Sequence, residues 1–192
     1  MPWAFNRPTC WVCPWGGMIA QELVLRYPEK VRRLLLASTM AQVAPYHVTI
    51  LQPWKWIRQH DPDNEVFPIE MIAWCMTREF AKNAEAVDQM IDQMQNPPFP
   101  QSPAAFGRQA DAVRTFDALD RLGEVKAPTL ALVADQDILV PHWYSRELVE
   151  AIPDAKLKIL EGGGHAFLWE IPAEFNQAVI EFLRAQEEQP TK

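Results

Sequence analysis

The chain is poor in cysteine, which limits the stabilising and redox chemistry available to it. Its 192 residues include three cysteines, at positions 10, 13 and 75, too few for a disulfide framework. Cys10 and Cys13 form one Cys-x-x-Cys pair, a weak indication of a metal or redox site because no second pair accompanies it. A small disulfide-stabilised fold is therefore excluded, and metal binding by cysteine is not favoured.

Excess positive charge and long apolar runs are also missing. The chain has 18 Lys and Arg residues against 25 Asp and Glu residues, with a net charge of −7, and the two signs are mixed along it. No basic patch favours a nucleic acid or an anionic membrane as a partner. No apolar run reaches the ~20 residues of a membrane-spanning helix, and the first residues lack the pattern of a signal peptide. We therefore expect a cytoplasmic protein that binds neither nucleic acid nor membrane.

The sequence does contain enough apolar material for one globular domain. It is 48% hydrophobic and 10% aromatic, which suits a packed core rather than disorder. Apolar residues recur with helical spacing between Gly16 and Tyr27, and Pro28 ends this predicted helix. Residues 31–39, VRRLLLAST, predict a short buried strand. A helix, a short turn and an apolar strand in this order indicate a parallel α/β layer.

Residues 40–116 differ in composition, because tryptophan and methionine accompany helical patterns such as EMIAWCMTREFAKN at residues 70–83. The segment NPPFPQSP predicts a loop, since proline blocks helix and lacks an amide donor. No strand is evident, so we predict a helical insert. Its large apolar side chains either pack a core or line an apolar substrate cavity, and the cavity candidates are Trp54, Trp74, Met90 and Phe106.

The α/β pattern returns after residue 116. PTLALVAD predicts a strand, HWYSRELVEAI a helix, AKLKILE a strand, GGGH a tight turn and PAEFNQAVIEFLRAQ a terminal helix. Together with residues 31–39, these segments predict a parallel sheet with three recognisable strands.

Polar side chains follow two of these predicted strands. Asp135 and Asp137 come just after one strand, and His165 follows the next. A lone histidine in a turn is usually structural, and an aspartate after a strand is usually a helix cap. In parallel sheets, however, sites form at the carboxyl ends of strands, where a carboxylate can orient an imidazole and stabilise its protonated form. The order aspartate then histidine therefore favours a catalytic pair.

These segments together resemble an α/β hydrolase of the cap-bearing esterase and 3-oxoadipate enol-lactonase-like type. GGMIAQELVLRYPEKVRRLLLAST is similar to the segment after the nucleophile, and LEGGGHAFLWEIPAEFNQAVIEFL to the histidine segment, which indicates His165. PTLALVADQDILVP resembles the acid strand, whose acid lies four residues before the proline; this selects Asp137, four before Pro141, over Asp135. In this family the chain order is nucleophile, acid, histidine.

The resemblance implies the C-terminal part of an α/β-hydrolase fold, a parallel sheet with a helical cap insertion. It covers about residues 16–185. Residues 16–39 and 117–186 would form a partial core, residues 40–116 the cap and residues 187–192 a tail.

The chain departs from this family at the nucleophile. The family's elbow is G-x-S-x-G, a strained turn that presents the serine hydroxyl. Gly16 and Gly17 fit the end of this motif, but Pro14 then occupies the serine position and Val12 the first glycine. Proline has no hydroxyl, and its ring constrains the turn. Cys13, one residue out of register, is a weak alternative nucleophile that would need a neighbouring base.

A shift of reading frame accounts for this departure. Residues 1–15 can be translated back into their allowed codons and read again with the frame shifted by one base. Several residues of the shifted peptide are then fixed, among them the Leu and Gly that arise around Trp11. The codons of Cys13 and Pro14 then permit Ser, and the whole segment permits ALGIQSAHVLGVSMG, which is similar to the family's approach to its elbow. We therefore predict that residues 1–15 are an out-of-frame or non-native segment. The alternative is that Pro14 is an evolved residue.

The resemblance implies hydrolysis of a small-molecule carboxylic ester or lactone. His165 would act as general base and then general acid, oriented by Asp137, and a serine would form an acyl-enzyme. No metal or organic cofactor is implied. Because Pro14 occupies the serine position, we expect this chain to be inactive or weakly active. Haloperoxidase-like and C–C bond hydrolase activities stay open, because this fold hosts many chemistries.

A non-catalytic protein is the alternative. A pseudo-hydrolase would bind a small molecule or a protein through the cleft of the insert or through the edge of the sheet. An unpaired apolar edge strand also favours self-association.

Overall fold

Four parallel strands form the centre of the protein. A computed structural model describes residues 9–12 and 14–184. The strands lie in the order β1-β2-β3-β4: β1 Thr9–Val12, β2 Arg33–Ala37, β3 Thr129–Ala134 and β4 Ala155–Leu160. The three predicted strands are all present as β2, β3 and β4. The fourth, β1, lies in the segment that we interpreted as out of frame, and the sequence analysis did not predict it.

Nine α-helices connect and cover these strands within the described residues. They are α1 Pro14–Arg26, α2 Pro45–His60, α3 Phe67–Cys75, α4 Arg78–Ala81, α5 Ala84–Gln95, α6 Pro103–Val113, α7 His142–Ala151, α8 Phe167–Glu170 and α9 Pro172–Arg184. Proline stands in the first turn of α2, α3 and α6, where its missing amide leaves no helical bond unmade. None of the helices in residues 14–184 is long and apolar enough to cross a membrane.

The two central strands are buried along their whole length. All five residues of β2 and all six of β3 are buried, as expected for parallel strands covered on both faces. Leu34 and Leu36 pack against α1 and α7, whereas Leu35 and Ala37 pack against α8 and α9. Successive side chains of a strand point to opposite faces, so the leucine run in β2 supplies both layers of the core.

The regular secondary structure between β2 and β3 consists of helices and of one isolated bridge between Gln42 and Asp117. Its helices α2 to α6 share an apolar cluster that also contains Leu139, Val140 and Ala166, which follow β3 and β4. The insert therefore packs onto the loops at the carboxyl edge of the sheet.

The helical pattern predicted at residues 70–83 is divided in the structure. Helix α3 ends at Cys75 and α4 begins at Arg78, with Thr77 between them as the N-cap. The Thr77 hydroxyl accepts the amide of Phe80 at 3.1 Å, which starts the new helix. Periodicity alone did not locate this break, because its other contacts come from residues more than 80 positions away.

Gly17 provides the close contact between α1 and the end of β2. A Cβ at this position would lie 2.6–2.7 Å from the side chain of Thr39. We predict that Gly17→Ala lowers the free energy of unfolding by about 1–3 kcal/mol, because α1 must move away from the sheet. Gly123→Ala is the matched control, since nothing lies within 4 Å of the added carbon. Urea unfolding followed by tryptophan fluorescence measures both, and equal midpoints for the two variants would contradict the close contact.

Candidate active site

Asp137 and His165 meet at the carboxyl edge of the sheet. Asp137 lies in the loop after β3 and His165 in the loop after β4, and the Nδ1 of His165 is 2.9 Å from the Oδ2 of Asp137. Both residues are buried, with exposed fractions of 4% for Asp137 and 9% for His165. An ionised carboxylate only accepts hydrogen bonds, so Nδ1 carries the proton and the Nε2 lone pair is left for proton transfer.

The second oxygen of Asp137 is also occupied. Oδ1 accepts the amides of Leu139 at 3.0 Å and Val140 at 2.7 Å. The carboxylate is therefore held from both sides and cannot turn away from His165. Asp135, the other aspartate on this loop, instead accepts the amide of Gly162 at 2.8 Å. The structure thus brings Asp137, and not Asp135, to the imidazole.

The glycines before His165 allow the loop to pack closely. Gly162 has a φ of +86°, a conformation that side chains disfavour. A Cβ at Gly163 would lie 2.6 Å from the Cβ of Phe167, and one at Gly164 would lie 2.8 Å from the carbonyl oxygen of Cys75. The GGGH turn therefore places His165 where a bulkier sequence would not fit.

The predicted serine position, Pro14, is the first residue of helix α1 and follows strand β1 closely in the chain. Strand β1 ends at Val12 and helix α1 begins at Pro14, while Cys13 lies outside the described residues. Strand, turn and helix form the context in which a nucleophile elbow is found. Gly16 and Gly17 lie in the first turn of α1. Trp15, beside them, packs against Phe106 of the insert with ring centroids 5.3 Å apart.

His47 lies close to the Asp137–His165 pair and was not selected by the sequence analysis. It is buried on α2 and packs edge-on against Tyr144, with ring centroids 4.9 Å apart. Burial lowers the pKa of His47. The charge of Asp137 raises this pKa and that of His165 lowers it. The neighbouring Tyr46 hydroxyl donates to the Ile138 carbonyl at 3.1 Å, so the start of α2 covers the acid loop. No local sequence pattern indicates this contact.

The four cavity candidates belong to the apolar cluster of the insert. Trp54 and Phe106 are buried members of it, and Trp74 and Met90 are half-buried and packed against it. All four therefore take part in packing. The indole Nε1 of Trp54 is buried without a hydrogen-bond partner among the described residues. A substrate-lining role for these residues stays a prediction.

Cysteine chemistry is unfavourable at Cys75. Its side chain is buried, and burial is the largest cause that raises the pKa of its thiol to about 12. Since the thiolate is the reactive form, we expect Cys75 to be unreactive in the folded protein. No group of three or more His, Cys, Asp or Glu side chains that could hold a metal ion occurs in the described ranges.

We predict that Asp137→Asn changes the tautomer of neutral His165. Two backbone amides face Oδ1 of Asp137, so the asparagine oxygen remains there and its NH₂ group faces His165. The imidazole proton then moves from Nδ1 to Nε2, which is the wrong tautomer for a general base. Ring ¹⁵N chemical shifts at alkaline pH measure the tautomer. Asp135→Asn is the control and leaves it unchanged; an unchanged tautomer in Asp137→Asn would show that the carboxylate does not orient the ring.

We also predict that Cys75 resists alkylation in the native protein. Iodoacetamide followed by peptide mass spectrometry should leave Cys75 unmodified in buffer and modify it fully in guanidinium chloride, because unfolding exposes the thiol and restores its ordinary pKa. Equal modification in both conditions would mean that this part of the insert is open.

Comparisons with known proteins agree with this architecture. The family model described as serine aminopeptidase, S33, matches residues 9–172. Among curated proteins, "Putative carbamate hydrolase RutD" of Rhizobium rhizogenes is 28% identical over 173 residues, which cover 90% of this chain and 65% of the relative. The chain thus spans slightly less than two thirds of the length of this relative.

Solved structures show the same fold. The α/β hydrolase MGS-M2 from a Medee basin deep-sea metagenome library has a TM-score of 0.83 at 19% identity and covers 98% of this chain and 68% of that one. The enol-lactonase from Burkholderia xenovorans has a TM-score of 0.81 at 18% identity, with coverages of 93% and 66%. The predicted resemblance to α/β hydrolases is confirmed. The chain belongs to the serine aminopeptidase S33 family of α/β hydrolases.

Proposed function

We propose that the protein is, by descent, a hydrolase of carboxylic esters or lactones that acts through a serine acyl-enzyme. The observation that carries this proposal is the buried hydrogen bond of 2.9 Å between His165 Nδ1 and Asp137 Oδ2. It leaves Nε2 of His165 to accept a proton from a nucleophile. A buried carboxylate that fixes the imidazole tautomer is what a general base of this type requires.

In the proposed reaction His165 accepts a proton and then gives it up twice, once in each half of the reaction. Nε2 takes the proton of a serine hydroxyl while the serine oxygen attacks the carbonyl carbon, and the same proton then passes to the departing alkoxide. Water attacks the acyl-enzyme in the second half of the reaction, and its proton returns through Nε2 to the serine. Asp137 stabilises the imidazolium in each step.

The nucleophile is the element that this chain does not supply. Pro14 occupies the serine position, and removal of a nucleophile costs several orders of magnitude in turnover in other triad hydrolases. We propose that the chain as written is inactive or weakly active, and that residues 1–15 derive from a shifted frame. Residues 16–39 and 117–186 form the hydrolase core in this proposal, and residues 40–116 form the cap.

The substrate class follows from the relatives and from the insert. The names of the relatives refer to a carbamate and an enol-lactone, which both contain a carbonyl carbon bonded to a heteroatom. The apolar cluster that contains Trp54 and Phe106 packs onto the loop of His165 through Ala166. We propose a small ester, lactone or carbamate whose apolar part faces this cluster.

A pseudo-hydrolase is the second candidate, and Pro14 is the residue that favours it. In that case the pair Asp137–His165 would persist as a structural element, and the chain would bind a small molecule or a protein without turnover. Strands β1 and β4 lie at the two edges of the described sheet. Self-association through such an edge belongs to this proposal as well.

We predict that the double substitution Val12→Gly and Pro14→Ser produces a reactive nucleophile, because it restores the G-x-S-x-G spacing that ends at Gly16. A fluorophosphonate probe should label the new serine, as located by peptide mass spectrometry, at least about tenfold faster than it labels any site of the original chain.

Two controls make this experiment decisive. Adding His165→Ala to the double variant should abolish labelling, whereas adding His60→Ala, at an exposed histidine of α2, should not. A folded double variant that the probe does not label, or labels equally without His165, would contradict a general-base role for His165 and favour the pseudo-hydrolase.

A further inference from the structure

A single carboxylate connects the loop of His165 to the helical insert. Glu170 lies at the end of α8, and its Oε2 accepts the amide of Gly164 at 2.6 Å. Its Oε1 accepts the amide of Thr77 at 2.8 Å and the hydroxyl of Thr77 at 2.6 Å. Thr77 belongs to the insert and Gly164 precedes His165, so Glu170 joins two segments that lie 87 residues apart in the chain, from 77 to 164.

A second bond holds the other side of His165. The amide of Ala166 donates to the carbonyl of Cys75 at 2.8 Å. The two backbone amides that flank His165 are therefore both engaged, one by Glu170 and one by the insert. The absence of a side chain on Gly164 is part of this contact, because a Cβ there would lie 2.8 Å from the Cys75 oxygen and 3.0 Å from Oε2 of Glu170.

The turn between α3 and α4 of the insert presents Thr77 to Glu170. The break between α3 and α4 places Thr77 as the N-cap of α4, with its hydroxyl accepting from Phe80 and donating to Glu170. Thr77 is buried and Glu170 is half-buried. Three donors to one partly shielded carboxylate form charge-assisted hydrogen bonds, which are stronger than neutral ones. A carboxylate with this arrangement acts as a clamp and not as a solvated surface group.

We propose that Glu170 is a positioning residue for His165, and that it makes the orientation of the imidazole depend on the docking of the insert. When residues 75–77 are docked, the backbone on both sides of His165 is fixed and Nδ1 is held on Asp137. When this turn of the insert moves away, the amide of Ala166 loses the Cys75 carbonyl and Glu170 loses both donors of Thr77, so the imidazole becomes free to rotate. This inference rests on the proposed role of His165 as a general base, and it concerns how that base is held in place.

Glu170→Gln is the direct test. An amide at this position must present a donor either to Gly164 or to Thr77, both of which are donors, so one side of the clamp is lost. Amide hydrogen exchange of Gly164 or of Thr77, whichever loses its acceptor, should accelerate at least about tenfold when followed by NMR, as expected for loss of a bond to a charged group. The ring ¹⁵N shifts of His165 should change from the Nδ1-H form to a mixture of tautomers.

Two further variants separate positioning from general stability. Glu174→Gln, at an exposed glutamate of α9, makes the same change of charge and should leave the exchange rates and the tautomer unchanged. Thr77→Val removes only the hydroxyl on the insert side and should shift the tautomer of His165 in the same direction as Glu170→Gln. Thr77→Val also serves as the test if Glu170→Gln fails to fold.

The outcomes distinguish this inference from the proposed function. An unchanged His165 tautomer in both folded variants would overturn the positioning role, even if Gly164 exchanged faster, because Glu170 would then have only a local structural effect. Neither measurement requires turnover. If the tautomer responds to Glu170→Gln but the fluorophosphonate probe never labels a restored serine, the positioning role stands and the hydrolase mechanism fails.

Discussion

The parallel pairing of β3 with β4 is the constraint on which the candidate site depends. The strands pair from Thr129↔Ala155 to Ala134↔Leu160, and the pairing continues beyond them, because the amide of Asp135 donates to Leu160 and that of Gln136 to Gly163. The two loops thus leave the sheet side by side. Asp137 and His165 meet because each follows its strand by a few residues, and a slip of register would separate them.

The helical insert holds the two loops that leave the carboxyl edge of the sheet. Tyr46 and His47 at the start of α2 cover the acid loop, and the turn between α3 and α4 holds the histidine loop through Glu170. The insert therefore contacts the loops that carry both members of the pair. In the proposed function, these contacts would couple substrate binding at the insert to the geometry of His165, because the helices of the insert also fix the two loops.

Much of the site could be predicted from the sequence, because its determinants are local. A strand followed by two aspartates, and a second strand followed by glycines and histidine, indicated His165 and the loop of Asp135 and Asp137, and the family resemblance then selected Asp137. Their contact requires only that neighbouring parallel strands end at the same edge.

Other features depend on contacts between distant residues, which periodicity does not encode. Strand β1, with the sequence TCWV, has no alternation that distinguishes it, and its neighbour β2 supplies the pairing. The break at Thr77 and the burial of His47 arise from packing of the insert against the acid and histidine loops. In the sequence, Glu170 has the pattern of a charged residue on an amphipathic segment. Its three hydrogen-bond donors come from Thr77 and Gly164 and are evident only in the structure.

We propose that the acid–histidine pair belongs to a serine hydrolase whose serine codon lies in the neighbouring reading frame. The nucleotide sequence of the source DNA through codons 1–17 tests it most directly. We predict that the Cys13 codon ends in T, so that the shifted triplet TCC encodes serine, and that the Phe5 codon ends in C. A Phe5 codon that ends in T would place the stop codon TAA in the shifted frame, and a Cys13 codon that ends in C would encode proline there. Either result would contradict the shifted-frame origin of residues 1–15 and make Pro14 a genuine residue of the protein.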